Sequence, residues 1–228
     1  MKTAASMMIL SAVAALAAPA PSTEEIVARM MERDQIRQST LGSYGWTSNY
    51  VLDNKDRHAE MQVRWTRQAD GTKRYEIVYE RGDGGVRSHV FHKLLESEVE
   101  ASQIALQERN RLNTKNYSFR LAGTEEMNGR TAYILELEPK SEAKYLTRGR
   151  VWIDAEDFEV VQIEGSPSKK PSFWTNTVVF VQSFEKTGGF WMAACNRSVT
   201  NAKLFGNADM VIRHFDYKFV ATTAMVAE

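Results

Sequence analysis

The sequence of 228 residues lacks several features that would place it in a common class of protein. Its only cysteine, Cys195, has no partner for an internal disulfide, and its apolar neighbours predict a small buried side chain. Lys and Arg together number 29 and Asp and Glu also number 29, so the net charge is zero. This balance gives no reason to expect binding to nucleic acid or to an anionic membrane. After the first residues, no run of about twenty apolar residues predicts a membrane-spanning helix.

Residue patterns typical of catalysis or metal binding are also missing. The sequence has neither a Gly-x-Ser-x-Gly motif nor a phosphate-binding glycine loop. His89 and His92 fall in a segment that favours a strand, where residues three apart face opposite sides and share no metal. Asp154, Glu156 and Asp157 lack the glycine and glutamate of a calcium loop, so they predict a solvated hairpin tip. We therefore expect no enzyme activity, no cofactor and no metal.

The first residues have the pattern of a secretory signal peptide. Lys2 precedes an apolar stretch from about Met7 to Leu16, and small residues follow. Cleavage is expected after Ala17, with Ala20 as the alternative, and an uncleaved anchor is the minor alternative. This predicts a signal peptide at 1–17 and a single domain at 18–228, soluble after export across the inner membrane.

Most of the remaining chain alternates between apolar and polar residues, which is typical of half-buried strands. In Arg74–Glu80, for example, Tyr75, Ile77 and Tyr79 face one way. Turn residues such as Asn128 and Gly129 separate the segments and favour antiparallel hairpins. About eleven strands are predicted, near 43–53, 59–68, 72–81, 85–92, 116–123, 131–138, 148–154, 158–165, 174–185, 189–200 and 208–219. An exposed loop is expected at 165–172.

Two helices are predicted. Ser22 or Thr23 can cap the first, which has an apolar stripe and should end near Leu41. The second is expected to begin at a capping box formed by Ser97 and Glu100.

Two helices cover less than half of a sheet of this size, because strands lie about 4.8 Å apart and a helix is about 10 Å wide. The sequence therefore predicts a mainly β (α+β) fold, a strongly curved antiparallel half-barrel with both helices covering its concave face. Such a shape leaves an apolar cavity suited to acyl chains, although the same side chains could equally fill it as ordinary core. The predicted lipid-binding residues are Trp46, Tyr50, Trp65, Tyr75, Ile77, Tyr79, Phe119, Leu121, Met30 and Met31.

Two segments resemble the LolA/LolB-like periplasmic lipoprotein carriers and the outer-membrane lipoprotein-sorting proteins. One runs from Gly149 through the Arg-Val-Trp-Ile-Asp-Ala-Glu-Asp sequence to Val160 and the Ile-Glu-Gly-Ser-Pro ending at Pro167. The other is Gly123–Leu137, with Glu125, Asn128, Gly129, Arg130 and Tyr133. The resemblance implies a curved sheet around a hydrophobic cavity with helices as its lid. It also implies a monomeric periplasmic carrier that sequesters acyl chains of lipoproteins or lipids for transfer toward the outer membrane.

The partners implied are lipid or lipoprotein acyl chains, with donor and acceptor proteins at the inner and outer membranes. No cysteine lies near the cleavage site, so the chain looks like the soluble carrier. In that family a strand arginine holds the lid by hydrogen bonds to helix carbonyls, and Arg64 and Arg67 lie in a comparable strand. The alternative is a periplasmic sensor of the same fold that binds lipid or misassembled envelope components and regulates a membrane partner.

Overall fold

The computed structural model describes residues 20–169, 175–202 and 206–220, and these form one open antiparallel sheet. The predicted signal peptide at 1–17 and part of the predicted 165–172 loop lie outside the described residues. The first three residues of that loop, 165–167, belong to the strand Val160–Pro167, so this part of the prediction is wrong. The sheet has ten strands in the order β3-β2-β1-β10-β9-β8-β7-β6-β5-β4. They are β1 Tyr44–Asn54, β2 Arg57–Arg67, β3 Lys73–Gly82, β4 Tyr117–Met127, β5 Arg130–Pro139, β6 Thr147–Asp154, β7 Val160–Pro167, β8 Thr175–Thr187, β9 Phe190–Ala202 and β10 Gly206–Phe219. The mainly β, curved antiparallel fold is confirmed.

Helices cover the two ends of this sheet. They are α1 Thr23–Thr40, α2 Gly84–Val86, a π-helical turn at Arg87–Phe91, α3 His92–Ala101 and α4 Ile104–Asn110. In the part of the chain that the structure describes, none of them is long and apolar enough to cross a bilayer.

The first helix has the predicted ends. The Ser22 hydroxyl accepts a hydrogen bond from the Glu25 N–H, and the Glu25 carboxylate accepts one from the Ser22 N–H, which completes a capping box. At the other end, the Leu41 N–H donates to the Arg37 carbonyl. Between these ends the helix buries Ile26, Val27 and Met30.

The strand predicted at 85–92 is wrong, because this segment is helical. Asp83 accepts a hydrogen bond from the Val86 N–H and so caps the start of α2. Val86, Phe91 and Leu95 are buried, five and then four residues apart. The π-helical turn adds the extra residue, which hides the usual helical spacing in the sequence. His89 and His92 are consequently on a helix, where they bind Ser88 and Glu80.

The predicted start of the second helix is also wrong. Ser97 lies inside α3, five residues after its first residue, so it caps no helix end. The helical segment begins at Gly84 and extends the cover over β2 and β3 well beyond what the sequence predicts.

Two hydrophobic clusters lie under these helices. The aromatic cluster joins β1 and β2 to the α2–α3 segment, and the α1 cluster joins α1 to β4, β5 and β6. The buried members of the aromatic cluster are Trp46, Tyr50, Leu52, Ala59, Met61, Val63, Trp65, Val86, Phe91 and Leu95. Those of the α1 cluster are Ile26, Val27, Met30, Tyr117, Leu135, Leu137, Leu146, Val151, Ile153 and Phe158.

Strand register shows that both clusters are on the same face of the sheet, which we call the inner face. One row of paired residues crosses all ten strands on this face. It runs Glu80, Met61, Tyr50, Ile212, Asn196, Gln182, Ile163, Val151, Leu135 and Leu121. The aromatic cluster lies toward one end of the row and the α1 cluster toward the other.

One acidic residue of the β6–β7 turn, Asp154, is buried. Asp154 was expected at a solvated tip, but it is only 1% exposed, and that expectation is wrong. Arg130 donates to both of its carboxylate oxygens at 2.6 and 2.7 Å. Burial acts to raise the pKa of Asp154, but this bidentate contact and two backbone N–H groups lower it below its ordinary value. These contacts stabilise the turn, because the Asp154 carboxylate accepts hydrogen bonds from both Arg130 and the backbone N–H groups of the turn.

Candidate ligand-binding groove

A groove of about 890 Å³ lies between α1, the edge strand β4 and the segment that follows α4. Ligand pockets in proteins have volumes of about 300–1,000 Å³. The groove is present because β4 is the last strand of the sheet, so α1 has no further strand beneath its outer side.

The floor of the groove is apolar. Val27 and Met31 are four residues apart on α1 and so share one side of the helix. Ala28 lies next to them, and its short side chain leaves room at the surface of the helix. Leu112 and Phe119 complete the floor from the opposite wall. This surface can remove hydrocarbon from water without any catalytic group.

Several of the charged residues at the rim of the groove pair with one another. Asp34 accepts hydrogen bonds from Arg37 at 2.7 Å and from Arg111 at 2.8 Å. Burial acts to raise the pKa of Asp34, but these two cations hold it below its ordinary value. Lys115 lies 3.2 Å from Glu108. The rim therefore offers several charges that are already compensated.

Two of the predicted lipid-binding residues, Met31 and Phe119, line the groove. Met30 and Leu121 lie close by in the α1 cluster, Met30 as a buried member and Leu121 packed against it. The Leu121 N–H donates to the Thr23 hydroxyl at 3.2 Å, which joins the start of α1 to the edge strand.

The other six predicted residues lie at the opposite end of the sheet. Trp46, Tyr50 and Trp65 are buried in the aromatic cluster, and Ile77 packs against it. On the edge strand β3, Tyr75 is 38% exposed. A bulge in β3 places Tyr79, 42% exposed, opposite Gln62 on the outer face, so the expectation that Tyr79 faces the same way as Tyr75 and Ile77 is wrong. The structure thus divides the predicted set between two ends of the sheet, and a role in lipid binding stays a prediction for all ten residues.

The sequence pattern did not single out Val27, Ala28 or Leu112 as ligand-binding residues. Val27 belongs to the apolar stripe of the helix. That stripe identifies the buried side of α1, but the position of α1 over an edge strand depends on long-range packing. No local pattern marks Ala28, whose small side chain has its effect only where a wall stands opposite.

The two candidate lid arginines have different contacts. Arg67 donates to the carbonyls of Leu41 and Gly42, at the end of α1, with distances of 3.4 and 3.3 Å. Arg64 instead forms an exposed ion pair with Glu76 at 2.6 Å. Arg67 is therefore the strand arginine that joins the end of α1 to β2.

No group of three or more His, Cys, Asp or Glu residues in the described ranges could hold a metal ion. Cys195 is free and partly buried.

No protein-family model and no curated protein matches the sequence. Solved structures with a similar fold include a LolA superfamily protein from Nitrosomonas europaea, with 12% identity and a TM-score of 0.48 over 92% of this chain and 98% of that one. A DUF1329 family protein from Desulfovibrio piger has 17% identity and a TM-score of 0.47, again over 92% and 98% of the two chains. A domain described as an outer membrane lipoprotein-sorting protein, from Vibrio parahaemolyticus, has 13% identity and a TM-score of 0.43 over 85% and 91%. Similarity of this degree identifies no ligand, partner or activity.

Proposed function

We propose that this protein is a non-catalytic carrier that binds the acyl chain of a lipid or lipoprotein in the groove between α1 and β4. The observation that supports this most directly is the apolar floor formed by Val27, Ala28, Met31, Leu112 and Phe119 in a space of about 890 Å³. A surface patch of this kind, rimmed by polar residues, is typical of a binding site.

The hydrophobic effect is large enough to hold such a ligand. Each methylene group that leaves water contributes about 0.8 kcal/mol, so eight buried groups give roughly 6 kcal/mol before the cost of ordering the chain. The charges that line the groove nearly balance, so they give little net attraction for an ion; they are Glu24, Glu32, Asp34, Glu108, Arg111, Lys115 and Lys140. We therefore expect affinity to depend on the length of the hydrocarbon.

The carrier would act in the periplasm, where the predicted signal peptide directs it, and would receive its cargo from an inner-membrane donor for an outer-membrane acceptor. Arg67 supports a lid role for α1, because its contacts with Leu41 and Gly42 hold the end of that helix against the sheet. Transfer would require the other side of α1 to move away from β4 to release the chain.

The test is displacement of a fluorescent fatty acid from the purified mature protein, with Ala28→Trp as the variant. Ala28 is exposed on α1, so an indole fits without disturbing the core but fills the groove. We expect a loss of affinity of at least about tenfold, which corresponds to about 1.4 kcal/mol.

The matched control is Ile36→Trp, which places the same ring on the same helix. Ile36 is 47% exposed and does not line the groove, so its substitution should leave affinity unchanged. Mass spectrometry of gently purified protein should also detect lipid bound to the wild type and not to Ala28→Trp. Equal binding by both variants would contradict the proposed site.

A further inference from the structure

The groove between α1 and β4 is bounded at both of its ends. The residues of α1 that line it run from Thr23 to Gln35. At the first end, the Leu121 N–H donates to the Thr23 hydroxyl at 3.2 Å. At the other end, the Asp34 carboxylate accepts a hydrogen bond from Arg111 at 2.8 Å. Each of these contacts joins α1 to the opposite wall, and we call them the two end contacts.

The surface between the end contacts is apolar on both walls. Val27, Ala28 and Met31 of α1 have no side-chain atom that can donate or accept a strong hydrogen bond. Leu112 and Phe119 face them from the opposite wall. Hydrocarbon can therefore lie along this stretch without displacing any polar contact between the side chains of the floor.

The Asp34–Arg111 ion pair is held in place from both sides. The Asp34 carboxylate also accepts hydrogen bonds from Arg37 at 2.7 Å and from Gln38 at 2.8 Å. Arg111 lies 3.5 Å from Glu108 on its own side of the groove. The side chains of Asp34 and Arg111 are only 27% and 31% exposed. Separating them would leave two partly buried charges without each other, which is costly.

The two end contacts set a length for the apolar stretch. Asp34 lies eleven residues after Thr23, so the contacts are about 16 Å apart along α1. In an extended hydrocarbon, bonds of about 1.5 Å at about 111° advance about 1.3 Å per carbon, so about twelve carbons span this distance. The further carbons of a longer chain have to leave the groove for water, because a contact of 2.8 Å between charged groups leaves no room for them.

We propose that the Asp34–Arg111 ion pair determines chain-length specificity, by limiting the hydrocarbon held in the groove to about twelve carbons. This rests on the proposed function, since the hydrocarbon is that of the carried acyl chain. Acyl chains up to this length are buried whole. Longer chains are bound by one part, and their remaining carbons add no affinity.

The test is displacement of a fluorescent fatty acid from the mature protein by saturated fatty acids from octanoate to octadecanoate, each below its micelle concentration. All of them carry the same carboxylate, so differences in affinity report the hydrocarbon. In the wild type, affinity should rise about fourfold per methylene, the equivalent of about 0.8 kcal/mol, and should level off at about twelve carbons.

The decisive variant is Asp34→Ala with Arg111→Leu, which replaces the ion pair by two shorter apolar side chains. Exchange of a partly buried ion pair for apolar residues often leaves stability unchanged. The affinity ratio of hexadecanoate to dodecanoate should rise at least about tenfold over that of the wild type.

The matched control is Glu108→Ala with Lys115→Leu. This ion pair of 3.2 Å lies within α4 and the segment that follows it, so it does not cross the groove. Both double substitutions leave the net charge unchanged. The control should level off at the same chain length as the wild type.

Gln35→Trp keeps the test decisive if the first double variant folds poorly. Gln35 is exposed and lines the groove at the Asp34 end, so an indole there fills about one helical turn. Since a turn is about 5 Å long, affinity should level off about four carbons earlier than in the wild type.

A wild-type affinity that rises without a break up to octadecanoate would overturn the length limit. If Ala28→Trp still weakened binding, the acyl site itself would stand. A folded Asp34→Ala, Arg111→Leu variant, or Gln35→Trp, that levels off where the wild type does would overturn the assignment of the limit to this end of the groove. Failure of the wild type to bind the probe or any of the fatty acids would remove both proposals.

Discussion

The two ends of the inner face are covered in opposite ways. In the aromatic cluster, Trp46 and Trp65 stack with ring centroids 5.7 Å apart, and Phe91 from the π-helical turn fills the space beside Tyr50. In the α1 cluster, α1 packs aliphatic residues on the sheet and leaves a groove at the edge strand. The richer supply of rings thus belongs to the end that is filled.

This difference shows that ring content is a poor guide to ligand space. Large flat side chains fill volume well when a helix supplies a matching ring, as Phe91 does. Space remains instead where a helix overhangs the last strand and presents a small residue, Ala28. The position of the covering helix relative to the edge of the sheet therefore determines where a ligand can enter.

The largest expected effect is that of Phe91→Ala. Phe91 is fully buried, so its loss leaves a cavity and should lower the free energy of unfolding by about 3–5 kcal/mol. Phe119→Ala, in the groove wall, should cost less than about 2 kcal/mol, because that ring is only partly buried. Denaturant unfolding measures both. Equal losses of unfolding free energy in the two variants would contradict the difference between a filled aromatic cluster and an open groove.

An intermediate effect is expected from His214, beside the aromatic cluster. Burial lowers its pKa to about 4, so the unfolded chain takes up a proton between about pH 6.5 and 4 while the folded chain does not. The free energy of unfolding should therefore fall as the pH drops through this window, by up to about 3 kcal/mol, and His214→Gln should reduce the fall.

His58 provides the opposite case in the same experiment. It is exposed, and hydrogen bonds to Asp53 and Glu60 raise its pKa above the ordinary value. Its contribution is present at low pH and is lost as the pH rises through the folded pKa. Titration of the histidine ring signals by NMR should separate the two residues. A pKa of His214 above 6 would show that this end of the face is not tightly filled.

The smallest effects come from the two helix caps. Ser22→Ala and Asp83→Ala each remove an N-cap and should each cost about 1 kcal/mol. Only Ser22→Ala should also weaken binding of a fluorescent fatty acid, because α1 forms a wall of the groove. Loss of binding in Asp83→Ala, with Ser22→Ala unaffected, would place the ligand at the wrong end of the sheet for our proposal.

The local features of the fold could be predicted from the sequence. Asn128 and Gly129 both have positive φ, 52° and 76°, as the predicted hairpin turn requires. The capping box of α1 uses Ser22 and Glu25, and ten of the eleven predicted strands are present.

The missed features depend on context that a single segment does not contain. Val86 and Val90 favour a strand, but the Asp83 cap and the packing of Phe91 stabilise a helix instead. Gln182 stands in a stretch of apolar residues on β8, where the inward side cannot be read from alternation. Its place on the inner face follows only from pairing with Asn196 and Ile163.

The strand order also has a consequence for how the chain folds. Strands β1 to β3 and strands β4 to β10 are each joined by neighbours in sequence, whereas β1 pairs with β10 across most of the chain. Local hairpins form quickly, and contacts of long sequence separation form slowly. The two meanders can therefore assemble independently, but the sheet becomes continuous only after β10 has been synthesised and has paired with β1. A truncation just before β10 should leave β1 with an unpaired edge. Pairing of β10 with β1 is therefore the step that completes the native sheet.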